Sequence, residues 1–516
     1  MAFGNIKKSI FGVAGIVFVS KLLGFIRELI IAEKFGTSAA YDRYLIAIML
    51  PALLCGIFSY AGVYLLVPYF SEKLKNQNQK ESNFWSYAWG VINLKISLSI
   101  MVTTAIILLA PFIMKFWTVG FSHQSHIEII FYTRITAIAV FFVSLEAIFR
   151  SFLNVKKIFN YPASGYIIFN IFSISLILLL ADELSVGAIA VGWLGGLLLQ
   201  NLFLFLRILN FKPYQKFNLK IRKSDLDVIF KSGVILLLIE FLNRTYFMID
   251  RYFAVRFDEG IISAINYSNV LVLLPDSIIG VAVASVLFPY FSENYIQDRL
   301  KFKKYYIKSV TAIVFLAVPI AAIMYINAEN IIYLLFNRGE FDAVSQSLTT
   351  SVFIPLIPSV IALMIISISL RAAYAGKWYK EVLLIAIFVY IIKLFGSWIL
   401  SDFYGQAGIT AASSVAFGLF AIMLVSFLIF KLGYNSKFKF LFSLLILVSL
   451  GLISAYLSMN ITSNIFNFES TTKFQSLLYL FISGFFVLII YMPMIYLFKL
   501  KLILPDELFK RNLKID

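Results

Sequence analysis

Long apolar runs, separated by short polar stretches, dominate the chain from near its N-terminus to residue 498. The runs are about 20 residues or longer, and about 20 apolar residues in a helix cross the hydrocarbon core of a bilayer. Apolar and polar residues do not alternate along them, so they do not have the period of a strand. The pattern therefore predicts an all-α polytopic membrane protein.

Fourteen segments have the length and apolar content of a transmembrane helix. They are residues 9–32, 44–71, 88–117, 127–154, 162–181, 185–209, 228–256, 261–292, 305–327, 345–375, 380–401, 406–431, 439–459 and 474–498. Composition agrees with this count, because 61% of the residues are hydrophobic, whereas soluble domains have about 45–50%. Lipid must therefore solvate much of the surface.

The basic residues predict the topology. Thirty of the 44 lysines and arginines lie in alternate connections or in the span ends beside them, beginning with the N-terminus. Six lie in the other connections: Lys34, Arg43, Lys115, Arg256, Arg338 and Lys473. The positive-inside rule places the basic set and both termini in the cytoplasm. The net charge of +17 is then mostly a topology signal, and we expect no nucleic-acid partner.

The two halves of the chain resemble each other. Gly36, Ala40, Asp42, Leu50 and Pro51 match Gly260, Ala264, Asn266, Leu274 and Pro275 at a constant offset, and the pentapeptide at 68–72 recurs at 289–293. Both copies of the pentapeptide precede a basic loop, so the repeat is parallel, as in many transporters with a site between repeats. The predicted organisation is 1–210 (first lobe), 211–231 (basic linker), 232–432 (second lobe) and 433–516 (two further spans and a tail).

Charged residues inside the predicted spans suggest a binding site. In span seven Glu240, Arg244, Asp250 and Arg251 follow helical spacing, which puts them on one face and lets Glu240 pair with Arg244. Span one carries a similar polar face. A cavity between two such faces would be net cationic and suited to an anionic headgroup such as a diphosphate. Candidate binding residues are Ser20, Lys21, Arg27, Arg244 and Arg251, and candidate ion-coupling or gate residues are Asp42, Glu240 and Asp250.

Structural ion pairs or snorkelling side chains are the alternative explanation for such charges. We prefer this explanation for four basic residues in other spans: Lys95, Arg134, Arg150 and Lys393. Enzyme chemistry has no sequence support, because the chain lacks a Walker A motif, a nucleophile elbow and a cysteine pair. His123 and His126 are too few for a metal centre. We expect no enzyme activity and no cofactor, with energy from Na⁺, H⁺ or the membrane potential.

Several motifs resemble those of the MviN/MurJ lipid II flippase family, which belongs to the multidrug/oligosaccharidyl-lipid/polysaccharide exporter (MOP) superfamily. They include Ser20–Glu28, Phe35–Gly36, Leu287–Ser292, Phe336–Asp342 and Gly405–Gly408. The resemblance implies fourteen helices in two six-helix lobes around a V-shaped central cavity, with two additional helices that form a lipid groove. It also implies that Ser20, Arg27 and Asp42 fall on positions that matter in the family, and that Lys21 replaces an arginine.

The implied function is flipping of an undecaprenyl-diphosphate-linked saccharide by alternating access. The family's arginines after Leu50-Pro51 are absent from Leu53–Gly56, and Asn269-Val270 and Leu273 replace other polar positions. Lipid II and a capsule, exopolysaccharide or O-antigen repeat unit therefore both remain open as the substrate. Envelope glycan synthesis enzymes are possible partners in peptidoglycan or polysaccharide biosynthesis, and we expect a monomer.

Two other functions remain. A small-molecule or drug antiporter of the same superfamily would have twelve spans and an acidic cavity, whereas this chain has a basic face and two additional predicted spans. A non-transporting scaffold in an envelope-synthesis complex would tolerate substitutions of the intramembrane charges but not changes in its cytoplasmic loops.

Overall fold

The protein is helical throughout the part described by the computed structural model, which comprises residues 2–67, 70–71, 81–118, 121–209, 223–433, 437–465 and 472–497. The first eight α-helices are α1 (Ala2–Phe35), α2 (Ala39–Ala47), α3 (Met49–Ala61), α4 (Glu81–Trp117), α5 (His123–Val155), α6 (Asn160–Leu184), α7 (Gly187–Leu209) and α8 (Lys223–Ala254). The remaining ten are α9 (Ile261–Pro275), α10 (Val281–Gln297), α11 (Arg299–Ile326), α12 (Ala328–Phe336), α13 (Ala343–Leu356), α14 (Ser359–Ala375), α15 (Tyr379–Tyr404), α16 (Gln406–Lys431), α17 (Lys437–Ile465) and α18 (Lys473–Leu497).

The chain folds into two compact units. The first contains Met1–Ser263 together with Arg338–Phe341, and the second contains Ala264–Asn337 and Asp342–Asp516. Helix α8 therefore packs within the first unit. Most of the predicted basic linker and the C-terminal tail lie outside the described residues, so the predicted division into lobes and linker stays a prediction.

Ten helices of the described residues are long and apolar enough to span a membrane, or twelve if each of two bent helix pairs is one span. The predicted count of fourteen is therefore not confirmed. The predicted spans that do not pass this test are α1 and α8, the first of each half. The test covers only part of each of these two helices, so it does not decide whether they span the membrane. Both carry charged residues: Lys21, Arg27 and Glu28 in α1, and Glu240, Arg244, Asp250 and Arg251 in α8.

Prolines lie at or beside the breaks in the two bent pairs. Helices α2 and α3 meet at 42°, and α13 and α14 meet at 51°. Pro358 is the N-cap of α14, where proline cannot continue the preceding helix because it lacks an N–H and its ring clashes with the previous turn. Pro51 lies in the first turn of α3, where its missing N–H costs nothing. π-helical turns follow α3 at Gly62–Leu66 and α9 at Asp276–Gly280.

Apolar clusters hold the first unit together. One joins α3, α4, α5 and α7 through Cys55, Phe58, Ile106, Val140 and Leu197, all of which are buried. Phe70 anchors a second cluster at the end of this region. The repeated pentapeptide at 68–72 contains Phe70, but Pro68, Tyr69 and Glu72 lie outside the described residues.

In the second unit, α17 and α18 pack on each other and on α11 and α12. Gly451 of α17 lies so close to Val318 of α11 that a Cβ at this position would overlap the valine side chain. Ser483 of α18 donates a hydrogen bond to Asn327, which precedes α12, at 3.0 Å. Small and hydroxyl residues are typical of helix contacts in membranes, because they allow close backbone approach and interhelical hydrogen bonds.

Two aspartates cap helices at the ends of spans. Asp342 accepts a hydrogen bond from the backbone N–H of Ser345 at 2.8 Å, at the N-terminus of α13. Asp298 accepts hydrogen bonds from the N–H groups of Leu300 and Lys301 at the start of α11. These hydrogen bonds stabilise the carboxylates and lower the pKa of each aspartate below its usual range.

Candidate functional site

Helix α6 holds the charged part of α1 in place. Arg27 donates to the side-chain oxygen of Asn170 at 3.2 Å and to Glu28 at 3.1 Å, and its guanidinium lies 5.4 Å from the centre of the Phe169 ring. Asn170 also donates to the backbone carbonyl of Ser20 at 3.2 Å. The Arg27 side chain is 23% exposed, so α6 both orients this cation and covers most of it.

Ser20 and Lys21 lie one turn or more before Arg27. Ser20 is half-buried and Lys21 is exposed. Gly24 lies between them and Arg27, and a Cβ there would lie 3.7 Å from Asn170, which is ordinary contact. The predicted polar face of α1 is therefore present, with Lys21 as its most accessible cation.

Arg244 on α8 packs directly against α3. Its Nε donates to Glu240 at 2.7 Å, which confirms the predicted pair, and a Cβ at Gly56 would lie 2.5 Å from the same nitrogen. Half of the Arg244 side chain is exposed. Because a guanidinium has five N–H donors and the glutamate takes one, Arg244 has donors left for an anionic ligand.

Arg251 lies two turns further along α8 and bonds to α2. Its guanidinium donates to the backbone carbonyl of Leu45 at 2.6 Å. Leu45 lies three residues before the break between α2 and α3. Asp250 beside it is 2% exposed. Arg251 is thus a contact between helices, and less accessible than Arg244.

Asp42 caps a helix. Its carboxylate accepts hydrogen bonds from the N–H of Gly260 at 2.6 Å, from the N–H of Ser263 at 2.7 Å, and from the Ser263 hydroxyl. Ser263 lies in the first turn of α9, where backbone N–H groups have no partner within the helix. Asp42 is 5% exposed. This geometry favours a structural role, while the predicted role in coupling or gating stays a prediction.

Three glycines with positive φ meet at the end of α1, and we call them the glycine junction: Gly36 (φ +51°), Gly260 (φ +93°) and Gly339 (φ +57°). A Cβ at Gly36 would overlap the carbonyl oxygen of Glu340, and one at Gly339 would overlap that of Glu33. A Cβ at Gly260 would lie 2.5 Å from the carbonyl oxygen of Thr37. The N–H of Glu340 donates to Glu33 at 2.8 Å, so residues 338–341 dock on the turn after α1.

Sequence reasoning missed several residues of this site. Asn170 is not ionisable and does not stand out among the charged residues, although a lone amide in an apolar span is itself a signal. Gly56 was noted only as part of Leu53–Gly56, the stretch without the family's arginines, yet its lack of a side chain makes room for Arg244. The contribution of Glu340 has no local signal, because its partner lies about 300 residues away in the chain.

The charges of the site are more evenly balanced than the sequence suggested. Arg27 pairs with Glu28, and Arg244 pairs with Glu240. The α1 face is held by α6 and the α8 face by α2 and α3, and in the described part of the chain Arg27 and Arg244 do not bond to each other's helices. Lys21 and the exposed half of Arg244 are the cations best placed to meet an anionic ligand.

Known proteins place this arrangement in a family. The sequence model described as "Lipid II flippase MurJ" matches residues 31–489, which is most of the chain. The chain belongs to the lipid II flippase MurJ family. The match includes α2, α3, α8 and the glycine junction.

MurJ relatives agree over most of their length. A probable lipid II flippase MurJ from Buchnera aphidicola subsp. Baizongia pistaciae is 28% identical over 399 residues, covering 75% of this chain and 76% of that protein. The lipid II flippase MurJ of Burkholderia cenocepacia is 24% identical over 440 residues, covering 81% and 83%.

Solved structures show the same fold. A structure of lipid II flippase MurJ in an inward closed conformation has a TM-score of 0.79 at 21% identity, covering 94% of this chain and 99% of that one. A multidrug resistance MATE transporter of the MOP superfamily, in an inward-facing conformation, has a TM-score of 0.66 at 14% identity, covering 80% and 94%. The chain is thus a multi-pass membrane protein with the MurJ fold.

Proposed function

We propose that this protein is a flippase that moves lipid II, an undecaprenyl-diphosphate-linked saccharide, across the bacterial cytoplasmic membrane. The observation that carries the proposal is the MurJ family match over residues 31–489. The curated relatives that support it are named for lipid II, so we favour lipid II over a capsule, exopolysaccharide or O-antigen unit. The protein would act as a transporter without enzyme activity, with both termini in the cytoplasm.

Headgroup binding is the step for which the candidate site is best suited. A diphosphate is recognised by charge-assisted hydrogen bonds from arginine and lysine. Arg244 offers such donors from a guanidinium that Glu240 and Gly56 hold in one orientation. Lys21 adds an exposed cation on α1. Arg27 lies deeper and keeps the face of α1 oriented through Asn170.

The energy source is also a proposal. Intramembrane charges mark transport pathways and coupling groups, and H⁺, Na⁺ or the membrane potential could each drive the cycle. Glu240 and Asp250 lie on the same helix as Arg244, so a change in their charge would alter the anion site directly. Partner enzymes of envelope glycan synthesis and a monomeric state belong to this proposal as well.

A flipping assay in proteoliposomes with fluorescent lipid II tests the function. Lys21→Ala, Arg27→Ala and Arg244→Ala should each slow transport, with Arg244→Ala slowing it by about 10- to 100-fold, since one charge-assisted hydrogen bond contributes about 1.5–3 kcal/mol. Lys34→Ala is the matched control, because Lys34 lies on α1 and forms a surface ion pair with Asp182, whose side chain is 83% exposed.

Two outcomes would contradict the proposal. If the wild-type protein moves another lipid-linked saccharide but not lipid II, the assignment of lipid II as the substrate is refuted. Transport that is unchanged in Arg244→Ala, Arg27→Ala and Lys21→Ala alike would overturn the binding site while leaving the function in place.

A further inference from the structure

Four ionisable residues form a buried group inside the first unit that the candidate transport site does not use. They are Lys95 on α4, Glu146 and Arg150 on α5, and Tyr166 on α6, and we call them the Lys95 cluster. Lys95 is 9% exposed and Glu146 is 3% exposed. Burying such groups within membrane spans is costly, and ionisable residues at such positions usually serve transport.

Glu146 and Arg150 bind each other and their neighbours. Arg150 Nε lies 3.1 Å from Glu146 Oε1, and the Tyr166 hydroxyl donates to the same oxygen at 3.2 Å. Arg150 also donates to the hydroxyl of Ser59 on α3 at 2.8 Å. The carboxylate and the guanidinium thus neutralise each other within a hydrogen-bonded group.

Lys95 is left over from this pairing. Its Nζ is fully buried and has no hydrogen-bond partner within the described part of the chain. The charged groups that face it are Glu146, which attracts the ammonium, and Arg150, which repels it. With all three groups charged, the cluster has a net charge of +1. Losing one proton, or gaining one monovalent anion, would make it neutral.

Packing around Nζ favours the proton. A Cβ at Gly62 would lie 3.0 Å from Lys95 Nζ and 2.5 Å from the Ala147 Cβ. On this side the space is too small even for a methyl group, and an anion such as chloride is larger than that. A proton needs no additional space.

Helix α3 and the π-helical turn after it connect the cluster to the candidate site. Three positions spaced by three residues contact three different cations: Gly56 meets Arg244, Ser59 meets Arg150, and Gly62 meets Lys95. Gly56 and Gly62 are about 9 Å apart along the axis at 1.5 Å per residue. The π-helical turn begins at Gly62, and such turns are frequent at functional sites. A shift of α3 that follows a change at Arg244 would therefore reach Lys95.

We propose that the Lys95 cluster is a proton-exchange site that couples proton movement to transport. When α3 shifts and water reaches Nζ from one side, the neutral amine takes a proton from hydronium and leaves a water molecule. When that side closes and the other side opens, an Nζ–H bond breaks, the electron pair stays on nitrogen, and a water molecule on the newly open side accepts the proton. This inference rests on the proposed function, since it names the ion for that transport cycle.

The pH dependence of lipid II flipping in proteoliposomes tests the inference. The wild-type rate should change by up to about tenfold per pH unit over part of the range from pH 5 to 9, as expected when one proton binds before the slow step. Lys95→Met should flatten this profile to less than about twofold. Lys95→Arg should flatten it too, since arginine does not release its proton, whereas a merely structural lysine would be rescued by arginine.

Arg134→Met is the matched control, since it removes one cation from α5 at an exposed position where Arg134 donates to the Ile107 carbonyl. It should keep the wild-type profile. A Lys95→Met profile that equals the wild-type profile would overturn the inference. So would a wild-type profile that follows chloride rather than pH when gluconate replaces chloride, because that result would identify an anion site.

A second measurement does not depend on the substrate. Thermal unfolding of the purified protein, followed from pH 5 to 9, should show a pH-dependent difference between wild type and Lys95→Met that Arg134→Met does not show. An absence of this difference would overturn the proton site. If no lipid is flipped at any pH but the difference is present, the proposed function fails and the site stands.

Discussion

Several glycines in the first unit lie where a side chain would clash with a neighbouring residue. At the glycine junction, Gly36, Gly260 and Gly339 combine a left-handed backbone with a carbonyl oxygen in the space of a Cβ. Gly56 and Gly62 do not have left-handed backbone angles. At these two positions a Cβ would come too close to the side chains of Arg244 and Lys95, respectively. These glycines are therefore required for two different reasons, conformation and space.

Gly36→Ala should destabilise the protein by about 2–5 kcal/mol, because a left-handed alanine costs about 1–2 kcal/mol and overpacking costs about 1–3 kcal/mol. Gly418→Ala is the control, since a Cβ there meets nothing within 4 Å, and alanine stabilises a helix interior relative to glycine. Thermal unfolding in detergent, followed by tryptophan fluorescence, measures both. Equal unfolding temperatures for Gly36→Ala and wild type would contradict the role of the junction.

Local spacing predicted the contacts that are local. The Glu240–Arg244 pair follows from its i,i+4 spacing, and it is present at 2.7 Å. Arg27 was recognised as an intramembrane cation, but its partner Asn170 lies 143 residues away. No periodicity reports such a contact, because it depends on how helices pack.

Helices form the next scale, and the two most charged ones differ from the rest. Helices α1 and α8 are long, and each carries several charged residues within a predicted span. Other helices must cover their polar faces, as α6 does for Arg27 and α3 does for Arg244. These charges make both helices candidates for binding.

Asp42→Asn should destabilise the first turn of α9 by about 1–2 kcal/mol. The amide NH₂ would face a backbone N–H group whose hydrogen bond the carboxylate oxygen accepts in the wild type. Asp182→Asn is the matched control, since its exposed pair with Lys34 contributes little. Thermal unfolding should separate the two variants. If Asp42→Asn is as stable as wild type but transports poorly, Asp42 acts in coupling or gating rather than as a cap.

The lengths of the apolar segments predicted most of the helices. The positions at which helices are interrupted became visible only in the structure. The second predicted span, 44–71, is divided into α2, α3 and a π-helical turn. The bend of 42° lies at Ile48, three residues before Pro51, and Ile48 is not a helix-breaking residue. We attribute the position of this bend to packing against the surrounding helices.

At the scale of the whole molecule, two features indicate how the chain is organised: the distribution of basic residues and the repeated pentapeptide. Phe70 and Phe291, the central residues of the two pentapeptides, are buried at 1% and 0% exposure, each within its own unit. The alternation of basic connections is independent of this repeat. Both observations are consistent with two related halves and cytoplasmic termini.

Cysteine labelling tests the predicted topology. Ile296→Cys and Val344→Cys introduce thiols at residues that are 85% and 63% exposed, on opposite predicted sides of the membrane. In intact cells an impermeant maleimide should label Val344→Cys and should label Ile296→Cys only after lysis. The reverse pattern would invert the topology, and equal labelling of both would refute the assignment of sides.

The sequence predicted the fold class and the family from hydropathy and motifs spread along the chain. It could not choose the glycan, because a saccharide is recognised by side chains that come together only in the folded protein. The absence of the family's arginines from Leu53–Gly56 raised doubt about lipid II. In the structure Gly56 makes room for Arg244, which brings a cation from α8 to this stretch.

Cys55 has a practical consequence. It is the sole cysteine of the 516 residues, and α3 buries it at 7% exposure among Phe58, Ile106 and Leu197. Thiol reagents react with accessible thiolates, so we expect little labelling of Cys55 in the wild-type protein. Spin labels or fluorophores can therefore be attached at single introduced cysteines without first removing Cys55, and α3 keeps its native packing between Arg244 and Lys95 while its movements are recorded.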